Sequence, residues 1–132
     1  MTRRLPRHLA ILLIVASVSA SVGLGDAAAN HAPEDAVCIP GAVVTAYSAE
    51  QYPGRTSDGT ITVQAVRDGQ YIAAASYRIP MGATVELDNH LAYRVADRGL
   101  LDEHGITVDV LMATTAEARQ WGARRMTVCW WM

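Results

Sequence analysis

The sequence predicts a mainly β protein: a small closed barrel of short strands with one short helix near the C-terminus, preceded by a signal peptide. Three observations predict it. After Cys38 the chain is a succession of short apolar–polar alternations separated by turn residues. Only one segment carries a helix-capping pattern. The first residues read as basic, then apolar, then small.

At the N-terminus, Arg3, Arg4 and Arg7 precede the apolar run from Leu9 to Val18, and small residues follow at 18–20 and 27–29. The run is about ten residues, short of the roughly 20 that span a bilayer. Residues 1–29 are therefore expected to be a signal peptide, cleaved after Ala20 or Ala29. No Cys stands at lipobox spacing, so no stable membrane anchor is expected after cleavage, and the product would be secreted or periplasmic. With the three arginines removed, eight basic residues remain against twelve or thirteen acids, a net charge of −4 or −5. That argues against nucleic acid as a partner, because phosphates call for basic patches.

Residues 30–37 are polar and are expected to be a flexible linker, leaving 38–132 as the domain. Cys38 and Cys129 sit at its two ends. In an exported chain an even cysteine count reads as a disulfide, although two buried thiols would also fit. No metal ligand set is apparent: the two cysteines are isolated, and His31 lies in the linker.

Within the domain, Val43, Thr45 and Tyr47 alternate with Ala42, Val44 and Ala46. Ile61, Val63 and Ala65 alternate with Thr60, Thr62 and Gln64, which predicts a half-buried strand. Asp68-Gly69 then predicts a hairpin turn, with Tyr71 to Ala75 returning. Ile79-Pro-Met-Gly82 reads as a turn, Val85 and Leu87 as a strand, and Asp88-Asn89 as the next turn. Tyr93 and Val95 lead to Asp97-Arg-Gly99, a polar loop follows to Gly105, and Ile106 to Met112 is a β-branched run. Thr114 and Glu117 form a capping box for a helix that Gly122 ends. Met126, Val128 and Trp130 close the barrel, which removes exposed strand edges.

The chemistry centres on Asp109. Period two puts Ile106, Val108, Val110 and Met112 on one face and Asp109 on the other, with Thr107 and Leu111. A mid-strand carboxylate among apolar neighbours is costly unless it is paired or protonated, and a raised pKa suits a general acid. The alternatives are an ordinary exposed strand face or a structural hydrogen bond. Asp97, at a strand end, reads from pattern alone as a turn cap. A loop returning into a neighbouring strand would bring it to Asp109, and one pKa would rise. His90 and His104 read as solvated side chains, Trp121 and Trp130 as core, and Trp131 is open. No nucleophile elbow or phosphate loop is present, and no cofactor is expected.

Six segments then occur in the order of a known family: Thr45-Ala-Tyr47, Thr56-Ser-Asp-Gly59, Ile79-Pro-Met-Gly82, Val95-Ala-Asp97, Val108-Asp109 and Glu117-Ala-Arg-Gln-Trp-Gly122. The chain from Val43 to Trp130 resembles the three-aspartate (3D) domains of membrane-bound lytic transglycosylase A and stationary-phase survival proteins. Its Asp97-Arg-Gly99 is similar to the rare lipoprotein A barrels. The resemblance implies a six-stranded double-psi β-barrel, acting as a monomer on peptidoglycan glycan strands. It implies cleavage between N-acetylmuramic acid and N-acetylglucosamine, with Asp109 as catalytic acid and base and Asp97 supporting it. Thr45, Tyr47, Ser57, Asp58, Ser76, Arg98 and Gly99 would line the substrate groove. The first of the family's three aspartates falls at Ala75, and Ser76 stands where rare lipoprotein A proteins often have His. The alternative implied by that loss is a noncatalytic glycan-binding barrel, favoured if no side chain such as Asp58 replaces the missing acid.

Overall fold

The computed structural model describes residues 31–88 and 90–132, so the expected signal peptide lies outside the described residues, as does Asn89 of the expected turn. Six strands close into one barrel: β1 (Val37–Ser48), β2 (Ile72–Ala75), β3 (Thr84–Leu87), β4 (Ala92–Asp97), β5 (Val108–Met112) and β6 (Arg124–Trp131), in the spatial order β1-β5-β2-β4-β3-β6. Strand β1 runs parallel to β5 and antiparallel to β6. Strand β2 runs parallel to β4 and antiparallel to β5, and β3 is antiparallel to β4 and β6. The first strand begins at Val37, which pairs with Trp130 of β6.

The interior follows from the alternation. Val44, Val85, Val95, Val108, Val110 and Val128 are fully buried and fill the barrel with Ile79 and Leu87. β-Branched side chains suit this pleated lining. Trp121 and Trp130 pack partly buried against it. Cys38 and Cys129 face one another across β1 and β6 and are joined by a disulfide.

One expected strand is a helix. Residues Thr62–Arg67 form α1, and Ile61 and Val63, which made the period-two pattern, are exposed. What the helix buries is Thr62 and Ala65, with Val66 beside them, at i, i+3 and i+4. Ala65 packs with Ala49, Ile72, Ala96 and Leu111 in a second apolar cluster outside the barrel. Thr62 Oγ1 donates to the Tyr52 carbonyl at 2.6 Å. Asp68-Gly69 accordingly ends a helix instead of turning a hairpin. Gly69 N–H bonds to Val66 O, Gln70 N–H bonds to Ala65 O, and Gly69 takes φ +68°, the Schellman arrangement that favours glycine.

The expected C-terminal helix is present as α2 (Thr115–Trp121), with both halves of the Thr114/Glu117 capping box formed. The polar loop from Gly99 to Gly105 contains one 3-10 turn at Asp102–His104, with Leu101 buried under it and Leu100 exposed.

Candidate functional site

A single row across four strands builds the site. Thr45 on β1 lies opposite Asp109 on β5, Asp109 opposite Ala74 on β2, and Ala74 opposite Asp97 on β4. The two aspartates thus flank Ala74, about 10 Å apart backbone to backbone at the usual strand spacing. The sequence suggested adjacent strands for them; β2 lies between instead. All four residues open into a groove of about 840 Å³. Its walls come from the 51–55 segment, the chain at Arg98–Gly99 and α2 with the residues after it.

Asp109 is partly buried, and Thr45 Oγ1 donates to its Oδ1 at 2.8 Å. Burial pushes its pKa up, the Thr45 hydrogen bond opposes this, and the charge of Asp97 pushes it further up. Asp97 is held differently. Its Oδ1 accepts from Ser57 N–H (2.9 Å), Ser57 Oγ (2.8 Å) and Arg98 N–H (2.9 Å). Ser57 therefore acts by fixing Asp97. The strand-end aspartate does cap its turn, and it also faces the groove.

Tyr47 adds a neutral donor. Burial, then the charges of Asp97 and Asp109, hold its hydroxyl well above the ordinary tyrosine range. The hydroxyl is buried and faces Asp97, but makes no contact of hydrogen-bond geometry among the described residues. Its interaction with the Asp97 carboxylate also holds the pKa up, so the O–H is directed toward the acid it shares the groove with.

Other residues expected in the groove take different places. Ser76 is fully buried and donates to Asp102 Oδ1 at 2.6 Å, so it belongs to the 76–79 turn and not to the groove wall. That bond first, then the Tyr77 N–H, holds the Asp102 carboxyl below its usual range. Arg98 lines the groove, yet its guanidinium donates to the carbonyls of Ala75, Ser76 and Ile79. Gly99 lines the groove too; a Cβ there would meet nothing nearer than Leu101 Cδ2 at 4.0 Å.

Asp58 does not replace a missing acid. Its carboxylate pairs with Arg94 and accepts from Thr56 Oγ1 and from Thr60 N–H and Oγ1. Burial works to raise its pKa, but the Thr60, Thr56 and Arg94 hydrogen bonds outweigh it and hold the carboxyl far below the usual range. A depressed folded-state pKa means stability that is present above the unfolded value and lost on acidification through the folded one. Asp58→Ala is expected to cost about 2 kcal/mol near neutral pH, since hydrogen bonds to charged groups are worth ~1.5–3 kcal/mol. Urea unfolding measures it, and a cost under about 0.5 kcal/mol would mean the 56–60 turn holds without its carboxylate.

Register also moves the expected vacancy. Ala75 pairs with Val108 and packs inside the barrel, whereas Ala74 is the groove-facing residue between the two acids. Tyr52 and Arg119 were not singled out in the sequence, and both line the groove. Tyr52 is 56 % exposed and meets Tyr47 edge-on, ring centroids 6.3 Å apart. The turn signal Gln51-Tyr-Pro-Gly54, directly after the strand bearing Thr45 and Tyr47, was the available clue.

One further grouping lies away from the groove. His31, Glu86 and His90 come together with their ligand atoms within 4.8 Å of one another. No protein-family model matches the chain, and no curated protein matches it.

Proposed function

We propose that the protein is a secreted peptidoglycan-active enzyme of the lytic transglycosylase type, working in cell-wall turnover through Asp109. The observation that carries the reading is a half-buried carboxyl of raised pKa, aligned with a second aspartate on the floor of an open groove. Strand order and the two parallel pairs, β1 with β5 and β2 with β4, support a double-psi barrel of the three-aspartate type. The N-terminal pattern and the disulfide support export to the cell envelope.

In this reading the protonated Asp109 gives its proton to the glycosidic oxygen between N-acetylmuramic acid and N-acetylglucosamine as the C1–O bond breaks. The carboxylate so formed takes the proton from the muramyl 6-hydroxyl, whose oxygen bonds to C1. The products are a free N-acetylglucosamine hydroxyl and a 1,6-anhydro end, with no water consumed. One carboxyl suffices for both transfers, unlike the paired-carboxylate hydrolases. Asp97 is a positioning residue whose charge keeps Asp109 protonated. Exposed Tyr52 would stack on a ring face.

A second reading, a noncatalytic glycan-binding barrel, is favoured by one observation. Ala74 stands between the two acids, while Asp58 and Asp102 are occupied by Arg94 and Ser76. Digestion of purified peptidoglycan, with products resolved by mass spectrometry, separates the two. Anhydromuropeptides from the wild type and none from Asp109→Asn support the enzyme. Sedimentation of both proteins with the wall, without released products, would leave the binding barrel.

A further inference from the structure

We propose that His31, Glu86 and His90 form a binding site for a divalent first-row transition metal ion, with zinc the ion that suits the donor set. Two imidazoles and one carboxylate are a set that zinc accepts, with a fourth position left for water. The site is independent of the groove. His90 lies just before the first residue of β4 and Asp97 is its last, so the two sites stand at opposite ends of that strand.

Three observations carry the proposal. First, His31, which precedes β1, converges with a local pair from far along the chain: Glu86 on β3 and His90, four positions later, in the β3–β4 turn. Second, Glu86 is built in. It pairs with Ala92 on β4 and with Cys129 on β6, and its side chain is 13 % exposed. Yet its Oε2 is buried with no partner, and its Oε1 lies 4.0 Å from His90 Nδ1, beyond hydrogen-bond reach. A buried carboxylate oxygen left unpaired is costly, and a cation answers it. Third, His90 takes φ 64°, a backbone conformation that residues other than glycine seldom adopt. His31 and His90 meet edge-on with ring centroids 5.6 Å apart.

Bonds of about 2.0–2.1 Å to zinc bring ligand atoms to roughly 3.4 Å from one another, so a cluster whose ligand atoms lie within 4.8 Å must tighten by up to about 1.4 Å. The exposed side chains of His90 and His31 can supply that movement. Bound metal would fasten residues 31–36 to the β3–β4 turn. Glu86 faces Cys129 and Cys129 is bonded to Cys38, so the clamp would act beside the disulfide.

The test is a zinc titration of the full, disulfide-bonded chain against a chromophoric chelator, with imidazole ¹⁵N signals followed by NMR. The expected result is uptake of one equivalent, with the His31 and His90 signals shifting and those of His8 and His104 unmoved. Saturating zinc should also raise the thermal midpoint. His31→Ala, His90→Ala and Glu86→Gln should each weaken binding by at least about tenfold, since even outer-shell losses cost 10–100-fold. His104→Ala should change nothing. Should Glu86→Gln not fold, the two exposed histidine positions decide. Absence of saturable uptake, or affinity unmoved by both His31→Ala and His90→Ala, overturns the proposal.

Discussion

Asp109→Asn is expected to lower the rate of anhydromuropeptide release by 10²–10⁴-fold, the usual contribution of a general acid–base group, while leaving the barrel folded. Asn keeps the shape of the side chain, and its amide oxygen can still accept from Thr45 Oγ1, which now meets Asp109 at 2.8 Å. The same substitution should make the protein more stable at neutral pH. A carboxyl whose folded pKa is raised contributes stability that is present below its unfolded pKa and lost as pH rises through the folded one. Asp109 is such a group. At pH 7 the fold disfavours ionisation of Asp109, a cost that Asn lacks, and the difference should disappear on acidification below the ordinary carboxylate range. Urea unfolding of both proteins at two pH values checks this. A destabilised Asn variant at pH 7 would mean the ionised carboxylate is well solvated in place, which would undercut its role as an acid.

The pH dependence of activity follows from the same neighbours, with opposite signs. On the proposed mechanism activity needs protonated Asp109, so it should fall as pH rises through that group's pKa. Thr45→Val removes the bond that favours the carboxylate and should move the alkaline limb to higher pH. Asp97→Asn removes a charge that favours the protonated form and should move the limb to lower pH. The two shifts must oppose one another. Limbs that move together would make the proton donor a group other than Asp109.

The strands were legible in the sequence where one face is buried against a single core. Val108-Asp-Val110 and Val85-Glu-Leu87 state their inward residues directly, and the barrel buries each of them. Helix α1 was not, because Ile61 and Val63 are exposed apolar residues that mimic a period of two. Its true face, Thr62, Ala65 and Val66, is small and mixed, and only the Ala49–Ile72–Leu111 cluster outside the barrel gives it meaning. The two acids were legible as candidates, but their geometry was not. That Asp97 and Asp109 straddle Ala74 is a fact of strand order, which no local pattern carries. For the same reason Ser76 and Asp58 passed as groove residues: their partners, Asp102 and Arg94, are 26 and 36 positions away. The His31–Glu86–His90 cluster spans a still longer separation, across a linker that looked featureless.

Removing the disulfide should have the largest effect on stability. Cys38 and Cys129 are 91 residues apart, so the bond closes nearly the whole domain into one loop. In the chain-entropy model a loop of that length restricts the unfolded state by about 4.5 kcal/mol at 25 °C. A domain of this size is typically stable by only ~5–15 kcal/mol, so a Cys38→Ser, Cys129→Ser double variant is expected to be marginal at 37 °C. The denaturant slope should rise, because the uncrosslinked chain unfolds to a more expanded ensemble. Activity per folded molecule should stay the same. Thr45 lies seven residues along β1 from Cys38, on the order of 20 Å at strand rise, so β1 reaches the groove only at the end away from the bridge, and the other strands of the row, β5, β2 and β4, carry no bridged cysteine. Measured at 15 °C, where the variant remains folded, peptidoglycan turnover should match the wild type. A loss of stability below about 1 kcal/mol would mean that the unfolded chain is already compact, so that the crosslink removes little freedom from it. Turnover lost at 15 °C with the fold intact would instead show that the β1–β6 seam sets the line of the row from Thr45 to Asp97.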